Sequence, residues 1–350
     1  MTFEEFPDGT KRVKINGVEI IIGMPIDEYH RMAAPGEIDY FSKTRLHNII
    51  QNDKGPEWVW QNYEKGRFPV KDQDDRDVGD GRESHYVVGR AIDTLLFDGE
   101  AEYKRIYKLP PETYPSEIKA TKANNFMGGT ELKKWTYKAN FCQEWRDQQE
   151  AAGYTVMEDA QAKWVAKAYL SLHRHQGIHA ILEDEDWISQ VTFRWQDESG
   201  RWLQARPDLV NLRWNRWGDL KTTRYWHPEA YGREFFNRGY HLQAYLIDNA
   251  LTRIHGEKPN ERKHLVCGKQ EFPQTRIENL VQAHIDAGEM SFRRCLEVYT
   301  RCEKSGQWWE VQEQESFLSV PNFIQFMLSN KRDPARAEIY DFRELSADIA

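Results

Sequence analysis

The sequence predicts an α+β fold in which a mixed sheet is flanked by helices. Apolar and polar residues alternate over three short runs, as in strands that bury one face, at 188–195, 201–212 and 217–223. Two long helical patterns then follow, at 228–254 and 276–303, on either side of a short apolar run at 263–267. Antiparallel strands followed by helix, strand and helix form a layered core of this class.

Local signals predict the elements that precede this core. The dipeptide Asn16-Gly17, between β-branched residues, predicts a hairpin over 13–22, because this pair suits a tight turn with positive φ. Periodic apolar spacing predicts three helices, at 39–50, 83–97 and 159–182. Two segments rich in polar or turn-forming residues are expected to be connections, 54–81 and 109–130.

The composition excludes several classes of protein. The chain has 350 residues, of which 39% are hydrophobic, so it can bury a sizeable core and is not a disordered chain. It contains no apolar run long enough for a transmembrane helix. Four cysteines make no disulfide framework, so we expect a reducing cytoplasm. A net charge of −8 argues against coating of nucleic acid by bulk charge, although basic residues outnumber acidic ones between Arg194 and Arg224.

Two carboxylates and a lysine are expected to converge on the predicted sheet. Asp208 follows Pro207 on one strand, and Asp219 and Lys221 lie two residues apart on the next, so their side chains share a face. Carboxylate oxygens hold Mg²⁺, which keeps waters and accepts phosphate oxygens. The backbone carbonyl of Leu220 can serve as another ligand. Lys221 can orient or deprotonate an attacking water, so the set suits phosphodiester hydrolysis.

The residues after this strand strengthen the hypothesis. Thr222-Thr223 ends the strand, and the next helix presents Tyr240-His241-Leu242-Gln243-Ala244-Tyr245. The Pro-Asp strand, the Asp-x-Lys-Thr-Thr strand and this helix together resemble the PD-(D/E)xK nuclease superfamily. More narrowly, they resemble the RecE-type exonucleases, which are relatives of lambda exonuclease. The segment from Gly89 to Leu96 resembles the helix that precedes the motif in that family, and the likeness covers roughly residues 15–325.

The resemblance implies specific roles for these residues. It implies one integrated domain in three regions: a hairpin and helical region at 1–82, a PD-(D/E)xK nuclease core at 83–310 and a C-terminal extension at 311–350. The implied catalytic residues are Asp208, Asp219, Lys221 and Gln243. The implied metal ligands are Asp93, Asp208, Asp219 and Leu220. The implied DNA contacts are Arg90, Arg206, Thr222 and Tyr245.

Two positions depart from the family pattern. Asp93 stands where the family helix usually carries histidine, and a carboxylate binds Mg²⁺ at least as well as an imidazole. Gln190 stands where related sites often place an acidic residue, so either one or two metal ions remain possible.

The resemblance also implies an activity and partners. It implies an exonuclease that depends on Mg²⁺, with Mn²⁺ as a substitute, and that degrades one strand of linear double-stranded DNA. The implied direction is 5′→3′, which leaves 3′ overhangs for recombination by strand annealing. The implied partners are double-stranded DNA ends, further copies of the chain in a ring-shaped homo-oligomer, and a single-strand annealing protein. A phage origin, with action in a bacterial cytoplasm, fits this family.

Two alternatives to this activity stay open. The protein is either an exonuclease, an endonuclease of the same fold, or a DNA-end-binding protein that has lost full metal binding.

Three histidines, His173, His175 and His179, fall in one predicted helix, where a spacing of two places the first two on different faces. No zinc site is therefore expected there.

Overall fold

The structure is a computed structural model, and it describes residues 2–31, 37–50, 55–59, 83–118, 128–136, 138–306 and 308. The chain divides into two units, Met1–Trp308 and Trp309–Ala350. All described residues belong to the first unit. The extension predicted at 311–350 and most of the connection predicted at 54–81 lie outside the described residues.

The strands form two large sheets and two small ones. In chain order they are β1 (Glu4–Glu5), β2 (Lys11–Ile15), β3 (Val18–Ile22), β4 (Tyr40–Phe41), β5 (Tyr107–Lys108), β6 (Thr113–Ile118), β7 (Gly129–Lys134), β8 (Thr155–Val156), β9 (Ile188–Ser189), β10 (Thr192–Gln196), β11 (Trp202–Ala205), β12 (Leu209–Asn211), β13 (Arg216–Thr223), β14 (Glu261–Gly268) and β15 (Thr275–Asn279). The six-stranded sheet has the order β1-β2-β3-β10-β11-β4, and the five-stranded sheet has the order β15-β14-β13-β12-β9. The pairs β5-β8 and β6-β7 form the two small sheets.

The helices pack on both faces of the five-stranded sheet. In chain order they are α1 (Ile26–His30), α2 (Lys43–Asn48), α3 (Gly55–Val59), α4 (Glu83–Phe97), α5 (Gly99–Ile106), α6 (Asn140–Ala151), α7 (Asp159–Arg174), α8 (Gln176–Leu182), α9 (Pro228–Asn237), α10 (Tyr240–His255) and α11 (Gln282–Ser305). The predicted α+β class, a mixed sheet flanked by helices, is confirmed.

The centre of the five-stranded sheet is mixed, and this exposes one edge of β13. β13 runs parallel to β14, so the connection between them must cross over through α9 and α10. On its other side β13 pairs antiparallel with β12, and this pairing ends at Leu209↔Gly218. Within the described residues, the edge of β13 from Asp219 onward is therefore open on that side.

Alternate residues of β13 belong to two hydrophobic cores. Trp217 packs in a core with Leu242 and Leu246 of α10. The inner face of the six-stranded sheet contributes to the same core. Leu220 packs in the opposite core with Ile92 of α4. Because the faces alternate along a strand, Asp219 and Lys221 share the α10 side. Burial of both faces holds this strand rigidly.

Several elements have the predicted type. The hairpin over 13–22 is β2 and β3, with positive φ at Asn16 (47°) and Gly17 (83°). β3 pairs with β10, so this hairpin extends the six-stranded sheet of the core. The helix at 83–97 has the predicted bounds.

Three long predicted elements are interrupted, and these predictions are wrong in extent. The helix at 228–254 breaks at Gly239, which has φ 66° and separates α9 from α10. The helix at 159–182 breaks at His175, which is the C-cap of α7 and the N-cap of α8. The prediction of a helix at 276–303 is wrong for its first residues, because they form the edge strand β15. The ion pair between Arg276 and Glu278, two residues apart, is what side chains on one face of a strand can form.

The predicted strands at 188–195 and 201–212 each divide between the two sheets. Gln190 has φ 51°, which turns the chain from β9 in one sheet to β10 in the other. Pro207 lies between β11 and β12. The helix predicted at 39–50 is shorter, because Tyr40–Phe41 forms β4 and the helix begins at Lys43. Apolar and polar residues keep alternating where the chain passes from one sheet to the other, so the sequence pattern does not reveal these changes of sheet.

Within the described part of the chain, no helix is both long enough and apolar enough to cross a membrane. All four cysteines are buried and free.

Candidate functional site

Asp219 and Lys221 form a buried ion pair at the open edge of β13. Nζ of Lys221 contacts Oδ2 of Asp219, whose side chain is 1% exposed, while the Lys221 side chain is 12% exposed. The two-residue spacing on a strand makes this contact possible, as expected from the sequence. Removal of either partner would leave an uncompensated charge with little access to water.

Gln243 and Tyr240 of α10 lie next to this ion pair. Oε1 of Gln243 accepts a hydrogen bond from Nζ of Lys221 at 3.1 Å, and its Nε2 donates to Oδ1 of Asp219 at 3.2 Å. Nζ of Lys221 also lies 4.5 Å from the centre of the Tyr240 ring, a cation–π distance. Gly239 begins α10 with left-handed geometry, which sets the position from which both side chains reach the strand.

Asp208 approaches the same edge from the segment before β12. Its Oδ2 accepts a hydrogen bond of 2.6 Å from the backbone N–H of Leu220. In a strand, the N–H and C=O of one residue point to the same edge, so the carbonyl of Leu220 also faces this side. The carboxyl group of Asp208 therefore occupies the place that a neighbouring strand would otherwise take.

Asp93 of α4 completes a group of three carboxylates. The pKa of Asp93 is raised to about 7, chiefly by burial; Lys221 lowers it and Asp219 raises it by smaller amounts. Burial, followed by the charges of Asp219 and Asp93, raises the pKa of Asp208 well above its ordinary value. The three carboxyl groups are therefore close enough to influence one another's charge, and two of them also line the groove described below.

The ammonium group of Lys221 stays charged in this setting. Burial alone would lower the pKa of Lys221, but Asp219, Tyr240 and Asp208 outweigh it, so the pKa lies above its ordinary value. His264, opposite Asp219 on β14, is buried, and burial lowers its pKa well below the usual range, with Lys221 adding to the effect. Its Nδ1 lies 2.8 Å from Oη of Tyr231. A neutral histidine thus supports the strand without adding charge.

A groove of about 1730 Å³ adjoins this group, and Asp93, Asp208 and Gln243 line it. Arg206 lies in its wall and donates hydrogen bonds to the carbonyl of Met24 and to Oε1 of Gln190, each at 2.7 Å. Further charged residues line the groove, with both signs present: Asp27, Lys43, Arg90, Asp98, Glu102, Arg105, Arg146, Glu150 and Glu158.

The structure brings most of the predicted site residues together. The side chains of Asp93, Asp208, Asp219, Lys221 and Gln243 form one group, and the backbone of Leu220 borders it. Two predicted DNA contacts, Arg90 and Arg206, line the groove beside this group, and Arg90 is exposed.

Two predicted DNA contacts lie elsewhere. Thr222 faces α4, since a Cβ on Gly89 would lie 3.6 Å from its Oγ1. Tyr245 packs against Phe292 of α11, with ring centres 5.2 Å apart. Successive residues of a strand point to opposite faces, so Thr222 points away from the face that Asp219 and Lys221 share. On a helix, a step of two residues places Tyr245 on a different face from Gln243.

Sequence reasoning did not identify the role of Gln190 or of Asp98. Gln190 lines the same groove as Asp93 and Asp208. It accepts a hydrogen bond from Arg206 and also hydrogen-bonds Asp98, whose pKa is raised chiefly by burial. No local pattern signals this, because the three residues come from separate segments. The sequence assigns Tyr240 no role at the site, although it begins the helical segment that contains Gln243.

Comparison with known proteins gives limited information. No family model matches the chain, and no curated protein matches it. A crystal structure from Eubacterium rectale, of a protein provisionally named an exonuclease, superposes with a TM-score of 0.47 and 12% sequence identity. The match covers 82% of this chain and 92% of that chain. At this identity and TM-score, the likeness assigns neither a family nor an activity to the present chain.

Proposed function

We propose that this protein is a Mg²⁺-dependent exonuclease that degrades one strand of linear double-stranded DNA. The observation that carries the proposal is the convergence of three carboxylates, one buried and two half-buried, with a charged lysine and a glutamine at an open strand edge beside a groove. This is the set that the Asp-x-Lys motif led us to expect of a PD-(D/E)xK core. Polarity, recombination, the ring-shaped oligomer and the annealing partner rest on the sequence resemblance alone.

The residues fit a divalent cation. Three carboxylates and one backbone carbonyl are hard oxygen donors of the kind that Mg²⁺ binds. Burial is the main cause of the raised pKa values of Asp93 and Asp208, and the neighbouring carboxylates add to it, so a divalent cation would stabilise the charged forms of these groups. Asp93, Asp208, Asp219 and the carbonyl of Leu220 would hold the ion. When bound, such an ion lowers the pKa of a coordinated water and neutralises charge that builds on a phosphate.

The chain's own groups have distinct tasks in hydrolysis. The ammonium of Lys221, kept protonated by Asp219, donates hydrogen bonds and is suited to orienting the attacking water or pairing with a phosphate oxygen. It is less suited to act as a base, because its pKa is raised. Gln243 bridges Lys221 and Asp219 and keeps both at fixed positions. Tyr240 shields the ammonium on one side.

The groove suits a nucleic acid strand that enters the site. Arg90 and Arg206 lie in its walls and can meet backbone phosphates. The acidic residues in the same walls limit binding by bulk charge, in keeping with the net charge of −8.

The test uses linear duplex DNA labelled separately at its 5′ and 3′ ends, with a covalently closed circle as control. We expect Mg²⁺-dependent loss of label from one end only, and an intact circle. Cleavage of the circle would indicate the endonuclease alternative. Duplex-end binding without release of label under Mg²⁺ or Mn²⁺ would indicate the binding-protein alternative and overturn the proposal.

A further inference from the structure

We propose that His173, His179 and Glu183 form a binding site for Zn²⁺ that is separate from the carboxylate group. One ligand atom from each of these side chains lies within 4.8 Å of the other two. The sequence predicted no zinc site here, on the assumption that one helix carries the histidines. That assumption is wrong, since α7 ends at Arg174 and α8 begins at Gln176.

The corner between the two helices produces the cluster. His175 has φ −76° and ψ 108°, which takes it out of the helical region, and its side chain accepts a hydrogen bond from the N–H of Ile178. Gly177 allows the corner to approach β15, because a Cβ there would lie 3.0 Å from Cδ1 of Ile277. The change of direction places the rings of His173 and His179 5.9 Å apart.

Glu183, the residue that caps the C-terminus of α8, supplies the third donor. It lies one turn after His179, and Oε1 of Glu183 lies 3.8 Å from Nδ1 of His179. Two imidazole nitrogens and one carboxylate oxygen are a known zinc ligand set, with a fourth position open to water. The side chains of His179 and Glu183 are 52% and 62% exposed, so an ion reaches them from solvent and small rotations can close the site.

His173 is held in a state suited to metal binding. Its ring packs on Tyr169 at 4.4 Å, which restrains its orientation.

An ion at this corner would stabilise the outer edge of the five-stranded sheet. Ser171, just before His173, donates a hydrogen bond to the carbonyl of Pro273 at 2.8 Å, and its own carbonyl accepts one from Thr275 at 3.2 Å. β15 begins at Thr275. A crosslink between α7 and α8 would thus fix the surface on which this edge strand rests.

The test is a calorimetric titration of metal-stripped, full-length protein with Zn²⁺ in the presence of excess Mg²⁺. Mg²⁺ occupies hard oxygen sites, whereas imidazole favours Zn²⁺, so the excess keeps Zn²⁺ from the carboxylate group. We expect one Zn²⁺ per chain and a higher melting temperature with Zn²⁺. His179→Ala and, independently, Glu183→Gln should weaken binding by about 10-fold or more.

The matched control is His227→Ala, at an exposed histidine outside this cluster, which should bind Zn²⁺ as the wild type does. Both residues changed at the site are exposed, so loss of folding is not expected. Absence of Zn²⁺ binding by the wild type, or equal binding by wild type and both site variants, would overturn the proposal. Neither result depends on nuclease activity.

Discussion

Gly239 determines where α10 begins, and replacing it with alanine should be costly for two separable reasons. Its φ of 66° lies in the left-handed region, where a Cβ costs about 1–2 kcal/mol. The added Cβ would also lie 2.7 Å from Cγ and Nδ1 of His47. His47 cannot simply move away, because it is buried and its Nε2 lies 3.1 Å from the carbonyl oxygen of Asn237. Overpacking of this kind costs about 1–3 kcal/mol, so the total loss should be about 2–5 kcal/mol.

Gly256, at the other end of α10, is the matched control. Its φ is 76°, but a Cβ there would meet nothing within 4 Å. Gly256→Ala should therefore cost only about 1–2 kcal/mol, the backbone part alone. The assay is urea denaturation of both variants, compared through the free energy of unfolding. Equal losses in the two variants, or no loss at Gly239, would show that His47 does not constrain the start of α10.

Three further predictions concern the carboxylate group. A carboxyl group whose pKa rises on folding binds more protons in the folded state, so Asp93 should make the metal-free protein less stable as pH rises from about 4 to 7. Asp93→Asn should reduce the loss in free energy of unfolding over that pH range by at most about 4 kcal/mol. An unchanged dependence of this free energy on pH would contradict the raised pKa. Lys221→Met should lower the rate of duplex degradation by about 10²–10⁴-fold, measured at saturating Mg²⁺, and near-wild-type rates would remove Lys221 from the chemistry. Asp208→Asn should abolish the calorimetric heat of Mn²⁺ binding, and an undiminished heat would place the cation elsewhere.

Elements specified by local signals could be predicted from the sequence. The Asn16-Gly17 turn fixes its hairpin, because only certain residues tolerate positive φ. The apolar stripe of α4 gives its bounds, since each end coincides with a loss of periodicity. The placement of Asp219 beside Lys221 follows from strand alternation alone.

Features that depend on long-range packing could not be predicted. Gln190 and Pro207 mark points where the chain passes between sheets, yet the alternation of polarity continues through both. The corner at His175 forms because Gly177 packs on Ile277, which is distant in sequence. The ring of Tyr245 packs on Phe292 of α11, and this contact depends on a helix that is distant in sequence.

The central claim is that the carboxylate group at the edge of β13 hydrolyses DNA, and Asp219 is its most buried member. The most direct measurement compares the initial rate of linear-duplex degradation by wild-type protein and by Asp219→Ala, in Mg²⁺ and in EDTA, with folding checked by circular dichroism. We predict Mg²⁺-dependent degradation by the wild type and none by the folded variant. Degradation by Asp219→Ala at the wild-type rate would contradict the claim.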